Sequence, residues 1–418
     1  MRDVYIIGAF STAFGKKPET GFKALTREAY TGLLADAGLE TGAGIETGWF
    51  SNCGMGSWGQ RNIRGQVCFT PLVREGLFPE RVPMVNVEGG CASAMMALSG
   101  AFKDVASGEV ELSMAMGVEK TFVPGDAERT KEIFEGGIDQ MDPDEWRQYY
   151  AAAGETANKP FEYGPDRTVF MDTYAMQACY HMAKWGTTQR QIAIAASKNH
   201  WHGSLNPKAQ YRFEVSPDEV LADRPVSFPL TRSMCAPIGD GAAGVLVCSK
   251  DYLDGQPAHV RDRAIRIAGL AMSGGKYRDL DEPGLSSVAA KKAYARAGLS
   301  PADIDLVELH DATSFCELYQ LEMLGFCEPG TSGRFIEAGE TRLGGRLPVN
   351  TSGGLVSKGH PVGATGLSMV SELAAQLRHE AGDRQVADAK IALAENGGGV
   401  VGFDEAACAV AILARADA

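Results

Sequence analysis

The sequence predicts an α/β fold of two similar halves interrupted by an inserted segment, and two observations carry this. A helix, a glycine stop and a strand occur near the start and again in the last third. The two helices end in related words, Ala35 Asp36 Ala37 Gly38 Leu39 and Ala295 Arg296 Ala297 Gly298 Leu299. A second unit, a glycine turn opening a helix that leads into an apolar strand, also occurs twice and in the same order. Such alternation favours mostly parallel sheets covered by helices.

In the first half, residues 4–9 read as a buried strand, 25–37 as an amphipathic helix stopped by Gly38, and 45–51 as a short strand. Gly89 and Gly90 turn the chain, and Cys91 begins a helix to about residue 106, followed by a strand from 112. Residues 121–231 differ in character, with Pro, Gly, aromatic and charged clusters such as Gly136 Gly137 and Met141 Asp142 Pro143 Asp144. Two helices are expected there, at 173–185 and 188–199. Alternation resumes with an apolar strand at 241–248. The second half then repeats the grammar: a helix at 288–297, a strand at 304–309, a helix at 363–377 and a strand at 390–394. The expected division is 1–120 completed by 232–257, an insertion at 121–231 covering the site, and a second half at 258–418.

Composition narrows the function. The chain has 418 residues, 44% hydrophobic and 22% charged, which is ordinary for a folded soluble protein and excludes disorder. A net charge of −13 argues against nucleic acid and anionic membrane surfaces as partners. The longest apolar run, 406–414, is too short to span a bilayer. Nine scattered cysteines without Cys-x-x-Cys spacing fit reduced thiols of a cytoplasmic protein. The seven histidines suggest no metal site, since His200 and His202 are two apart and do not share a helix face. Met1 Arg2 Asp3 leads straight into an apolar strand, so no leader is expected, and Asp417 Ala418 end no peroxisomal signal.

Four stretches could carry chemistry, all at strand-to-turn or turn-to-helix junctions. In Val85 to Leu98, Cys91 at a helix start would gain acidity from the helix dipole and act as a nucleophile; the plain alternative is a small buried hydrophobe. In Asn350 to Gly366, glycines around His360 leave room for a ligand, and a histidine there could be a general base or simply a capping group. In Leu306 to Phe315, His310 ends a buried strand, where ligands sit in α/β folds; alternatively it packs while Asp311 caps the next helix. In Ala392 to Gly402, Gly397 to Gly399 could offer backbone N–H groups to an oxyanion or form a tight turn.

Taken together, the chain resembles the thiolase superfamily, most closely its sterol-carrier-protein-X branch and thiolase-like acyl-CoA acyltransferases. The resemblance rests on Gly89 Gly90 Cys91 Ala92 Ser93 Ala94, on Met234 to Val245, on His310 Asp311, and on Asn350 to Gly366. It implies a five-layer αβαβα fold of two duplicated halves with a loop domain, and a homodimer or dimer of dimers. It implies acyltransferase activity of the acetyl-CoA acetyltransferase or 3-ketoacyl-CoA thiolase type, with coenzyme A thioester as substrate and no metal or other cofactor. By resemblance Cys91 accepts the acyl group, His360 activates it, and His310 holds a thioester oxygen. The N–H of Cys91 and one from the Gly397–Gly399 loop, with Gly398 at its centre, form an oxyanion hole. Asn350 and Asn396 join the substrate-facing set.

One departure bears on the reaction. Relatives carry a second cysteine that moves a proton at the carbon α to the thioester. Where some carry it, this chain has Glu395 and Asn396; where the sterol-carrier-protein-X branch carries it, this chain has Ala312. Cys316 lies a helical turn further on. The expectations are therefore a thiolase with His310 or His360 as base, a decarboxylating condensation, or a retro-aldol enzyme with a small OB-fold partner. A non-catalytic lipid or acyl-CoA carrier would be a different class, and the retained Cys91, His310 and His360 speak against it.

Overall fold

The computed structural model describes residues 2–164 and 168–416; Met1, Asp417 and Ala418, read above for targeting, lie outside them. The strands are β1 (Val4–Ser11), β2 (Thr47–Ser51), β3 (Met84–Val87), β4 (Leu112–Lys120), β5 (Pro225–Ser227) and β6 (Leu230–Thr231). They continue with β7 (Asp240–Ser249), β8 (Ile265–Gly274), β9 (Leu306–Glu308), β10 (Ile391–Gly398) and β11 (Ala407–Arg415). Nine of them form one sheet in the order β3-β2-β4-β7-β1-β8-β11-β10-β9, while β5 and β6 make a separate hairpin.

The sheet is mixed, which corrects the expectation of mostly parallel pairing. Only β2·β3, β2·β4 and β9·β10 are parallel; β4·β7, β7·β1, β1·β8, β8·β11 and β11·β10 are antiparallel. Right-handed strand–helix–strand crossovers give parallel neighbours, but β7 and β11 return without such a crossover and enter the sheet the other way. The repeated grammar is nonetheless visible. β1, the helix Phe22–Asp36 and β2 match β8, the helix Leu285–Ala297 and β9, at mirrored places in the strand order.

Alternation along the strands builds the layers. Val4 and Ile6 of β1, Val245 and Val247 of β7, Ala392 and Ala394 of β10, and Ala409 and Ala411 of β11 face one shared core. That core contains the helices Ser93–Ser107 and Thr365–Leu377, whose small and apolar residues Ala94, Ala97, Ala101, Leu367, Val370 and Ala374 are fully buried. The opposite faces pack outward. Tyr5, Ile7, Met114 and Leu246 meet the helices Phe22–Asp36 and Arg64–Arg74, whereas Val307, Leu393, Val410 and Ile412 meet Leu285–Ala297 and Ser314–Met323. Two outer helical layers, two wings of the sheet and the central helix pair give the αβαβα arrangement, with period-2 side-chain alternation as its cause.

Between β4 and β7 lie the helices Ala127–Glu135, Pro143–Ala153, Val169–Trp185, Gln189–Ser204 and Pro217–Ala222. The last two long helices match the expectation. The first two go beyond the expected pair: Asp126 and Asp142 are N-caps that accept from Arg129 N (2.9 Å) and Glu145 N (3.3 Å), and Pro143 occupies the first helical position. Among the described residues no helix is long and apolar enough to cross a membrane, and all nine cysteines are free thiols.

Candidate active site

Cys91, His310 and His360 come from three separate junctions and meet beside the central helix pair. Cys91 follows the turn after β3, His310 follows β9, and His360 precedes the helix Thr365–Leu377. Their ligating atoms lie within 4.8 Å of one another. His360 Nε2 is 3.0 Å from Cys91 Sγ, and the two imidazole rings meet edge-on with centroids 5.2 Å apart.

The partners of His360 define its proton. Its Nδ1 is 2.8 Å from Thr365 Oγ1, and that hydroxyl donates its own hydrogen to Pro361 O at 3.1 Å. Thr365 can therefore only accept, so Nδ1 carries the hydrogen and Nε2 presents a lone pair to the Cys91 thiol. Burial, then His310 and Lys358, hold the His360 imidazolium well below the ordinary histidine range, so the ring is neutral. His310 is likewise held neutral, lowered to about 4 by burial. Its backbone N–H donates to Glu395 Oε2 at 3.1 Å, while its Nε2 is buried without a hydrogen-bond partner.

The thiol departs from expectation. The helix starts at Ser93 with Ala92 as its cap, so Cys91 stands in the preceding turn rather than in the helix. Burial, then Cys53, push its pKa up instead, well above the usual thiol range, despite help from its own N–H. Desolvation outweighs the help of that N–H, so Cys91 rests as a thiol with the lone pair of His360 Nε2 beside it.

Gly398, at the end of β10, lies directly behind Cys91. A Cβ there would stand 2.1 Å from Ala92 N and 2.3 Å from Cys91 N. Gly90, with φ of +58°, in turn lies against Gly399 N. The glycines thus let two backbones meet at the thiol, and Gly397 and Gly398 belong to the strand itself. The two asparagines are placed elsewhere. Asn350 accepts Leu309 N at 2.8 Å through Oδ1 and is wholly buried. The side chain of Asn396 lies against Gly366 and Met95 with both polar atoms unpartnered. Asp311 does not cap the helix Ser314–Met323; it accepts Leu355 N (2.6 Å) and Asn199 Nδ2 (2.8 Å) instead.

A cavity of about 280 Å³ opens onto Cys91 and His360, walled by Phe134, Phe170, Tyr174, Ala312 and Gly399 among others. Of the insertion aromatics, Phe170 lines it, whereas Trp146, Tyr149, Tyr150 and Phe161 pack into their own cluster. Cys316 is turned to Thr313 Oγ1 at 3.4 Å and is absent from that wall.

Two wall residues were missed from sequence. Cys53 places its thiol 3.3 Å from Gly90 O and 3.0 Å from Ser93 Oγ and is pushed up to about 12 by burial, then by Glu119. Its glycine-rich loop was the available signal. Tyr174 lies inside an expected helix, but that helix begins at Val169 rather than 173, and only the longer helix puts Phe170 and Met171 at helical spacing from it. Glu119, at the end of β4, holds the two site loops together by accepting Cys53 N (2.9 Å), Gly54 N (3.1 Å) and Gly363 N (3.2 Å). Burial raises it to about 7.

Among the described residues Cys91, His310 and His360 are also the one grouping of Cys, His, Asp and Glu that could close on a metal ion. Their hydrogen-bond pattern suits proton transfer: a neutral base aimed at a thiol, with a free imidazole beside both.

Comparison with known proteins places these features in context. Residues 4–225 match the family description "Thiolase, N-terminal domain", and residues 276–415 match "Thiolase C-terminal domain-like". An acetyl-CoA acetyltransferase of Methanothermobacter thermautotrophicus is 36% identical over 407 residues, covering 96% of this chain and 98% of the relative. Sterol carrier protein 2 of Rattus norvegicus is 32% identical over 436 residues, covering 97% of this chain and 73% of the relative. Among solved structures, an Ltp2-ChsH2(DUF35) aldolase shares the fold with a TM-score of 0.76 at 24% identity, covering 99% of this chain and 98% of that one.

Proposed function

This chain belongs to the thiolase family, and from that premise we infer an acyltransferase that works on acyl-CoA or 3-ketoacyl-CoA thioesters through an acyl-Cys91 intermediate. The observation that carries the intermediate is the 3.0 Å contact from His360 Nε2 to Cys91 Sγ at the end of a cavity. In this reading His360 takes the thiol proton as the sulfur attacks the thioester carbonyl. The carbonyl oxygen, becoming anionic, is met by the N–H of Cys91 and one from the Gly397–Gly399 segment. His310, whose Nε2 has no protein partner, donates to the oxygen of the second thioester. No metal or other cofactor is needed, since the thioester brings its own activation.

The experiment is incubation with short acyl-CoA thioesters followed by peptide mapping of the adduct. Acylation at Cys91 is expected, and Cys91→Ser should lose at least ~10²-fold in turnover. An adduct confined to another cysteine, or none with any thioester while the fold is intact, overturns the intermediate.

The mirrored strand order supports the division into 1–120 with 232–257, an insertion at 121–231, and 258–418. The β3 edge supports a homodimer, or dimer of dimers, because its residues Met84 to Val87 are half-buried or exposed and, among the described residues, no second strand covers that side. Light scattering that finds only the 44.5 kDa species at micromolar concentration would contradict it. Free thiols throughout support a cytoplasmic location.

A second reading has its own observation. The cavity wall at position 312 is a methyl group, so the usual second thiol is missing. That favours a C–C bond-forming or retro-aldol enzyme working with an OB-fold partner, and the likeness of fold to an aldolase agrees with it. Cleavage of a 3-hydroxyacyl-CoA without Cys91 acylation would select this reading.

A further inference from the structure

Phe170, Met171 and Tyr174 stand three and four residues apart on the helix Val169–Trp185, so one face of that helix forms a cavity wall. Tyr174 alone of the three carries a hydroxyl, and that hydroxyl makes no hydrogen bond with any described residue. Elsewhere in the fold, the phenols of Tyr30, Tyr149 and Tyr294 donate to the backbone carbonyls of Leu77, Arg278 and Leu324. A phenol on the wall of an apolar cavity without a partner is placed to meet a polar atom of a ligand.

Its surroundings show which end of the cavity it serves. Burial above all keeps the phenol protonated well above its ordinary range, and Cys316, Cys91, Glu405 and Glu395 are the titratable groups that act on it there. Cys316 lies one helical turn past Ala312, and Ala312 shares the wall with Tyr174 and Cys91. The phenol therefore shares a cavity wall with position 312, where relatives of the sterol-carrier-protein-X branch are expected to carry a second thiol. The histidines are otherwise engaged: His360 is held between Thr365 and Cys91, and His310 is assigned to the thioester oxygen.

We propose that Tyr174 is the proton donor of carbon–carbon cleavage in this site, and that the substrate is accordingly a 3-oxoacyl thioester. This rests on the acyl-Cys91 reading above. The Cys91 thiolate, its proton held by His360, adds to the 3-carbonyl. The bond between C2 and C3 breaks, and its electron pair goes to C2 as the enolate of acetyl-CoA. The Tyr174 O–H gives its proton to C2, which releases acetyl-CoA. Free CoA thiol reprotonates the phenolate, and its thiolate attacks the acyl-Cys91 carbonyl. The expelled Cys91 sulfur recovers the proton from His360, and every atom and charge is restored. Phe134 and Phe170 along the same wall restrict the acyl chain to apolar groups.

Three readouts on the full-length protein test this: Cys91 acetylation by intact mass, exchange of acetyl-CoA methyl hydrogens in heavy water by NMR, and thiolysis of acetoacetyl-CoA. Tyr174→Phe keeps the ring and should acetylate Cys91 within about threefold of wild type, while exchange and thiolysis fall at least ~10²-fold. Tyr174→Phe combined with Ala312→Cys should recover at least ~10-fold of both, which a merely structural tyrosine would not allow. Tyr174→Phe retaining exchange and thiolysis overturns the proposal, as does acetylation that falls in parallel with them. Wild type that acetylates Cys91 but exchanges no methyl hydrogen also overturns it. Wild type that acetylates no cysteine removes the acyl-Cys91 reading and this proposal together.

Discussion

His360 Nε2 and Cys91 Sγ, 269 positions apart in the chain, are 3.0 Å apart in the fold. Both groups are neutral: burial pushes the thiol up and the imidazolium down. Two neutral groups suit passage of the proton to His360 as the sulfur attacks, rather than a resting ion pair such as some cysteine enzymes use. An ordinary imidazole loses function as it protonates between about pH 7 and 6. A lowered histidine keeps its base form below that window, so Cys91 acylation should stay flat from pH 7 to pH 6 and fall only in stronger acid. Acylation rates measured by quenched mass spectrometry check this, and a half-maximum near pH 6.5 would contradict it. His360→Asn should slow acylation by ~10²–10⁴-fold.

Gly398 makes a separate prediction from space alone. A methyl group there would come within 2.1 Å of Ala92 N and 2.3 Å of Cys91 N, and a backbone cannot yield as a flexible side chain does. Gly398→Ala should cost about 1–3 kcal/mol of stability and displace the turn that holds the nucleophile. The expected result is a lowered melting temperature together with a loss of Cys91 acylation larger than the stability loss explains. Unchanged acylation would show that β10 and the Cys91 turn can separate without harm.

The site was more legible in sequence than the sheet was. Glycine clusters beside Cys91 and His360 marked junctions, because close backbone approach at an active site requires residues without a Cβ, and His310 was marked by the end of an apolar strand. Strand direction left no such mark: the apolar run of β7 reads alike whichever way it enters the sheet, so antiparallel pairing with β1 and β4 was invisible. The acidity of Cys91 was misjudged because the turn and the helix dipole are local, whereas burial under Gly398, Cys53 and the insertion is tertiary. Asn350 illustrates the same limit. Its place in a specific motif suggests a ligand contact, while the fold engages its Oδ1 with Leu309 N and leaves its Nδ2 buried without a partner. Cys53 and Tyr174 went unnoticed because their neighbours in the cavity come from distant segments.

Glu395 predicts a pH dependence of stability. Burial first, then Glu405, raise its carboxyl from 4.5 to about 8, so the folded chain holds a proton that the unfolded chain releases. Between these values the folded state binds more protons, and stability contributed by this group falls as pH rises, levelling off above pH 8. Glu119, raised to about 7, gives the same sign but ends earlier. Glu395→Gln should therefore flatten the fall between pH 7 and 8 that remains after Glu119 has titrated. Melting temperatures of both proteins across pH 5 to 9 measure it; parallel curves would mean that Glu395 is already ionised in the fold.

Position 312 offers the sharpest test of how the carbon acid is handled. Ala312 is on the cavity wall with Cys91 and Tyr174, two residues beyond His310, and its methyl leaves room for a sulfur. Thiolysis and its reverse both move a proton at the carbon between two carbonyls, and general acid–base help there is typically worth ~10²–10⁴-fold. A thiol is a stronger acid than a phenol held above its ordinary range, so wild type should cleave acetoacetyl-CoA slowly while acylating Cys91 normally. In Ala312→Cys, thiolysis should rise at least ~10-fold with Cys91 acylation unchanged. Wild type already turning over at ordinary thiolase rates, with no gain from the new thiol, would mean that the proton is handled well without it, by Tyr174 or by a histidine. The Tyr174→Phe exchange measurement separates those two, because a histidine acid would keep exchanging methyl hydrogens when the phenol is gone. A carrier without chemistry would show neither acylation nor gain, so the same pair of proteins also decides between an enzyme and a binding scaffold.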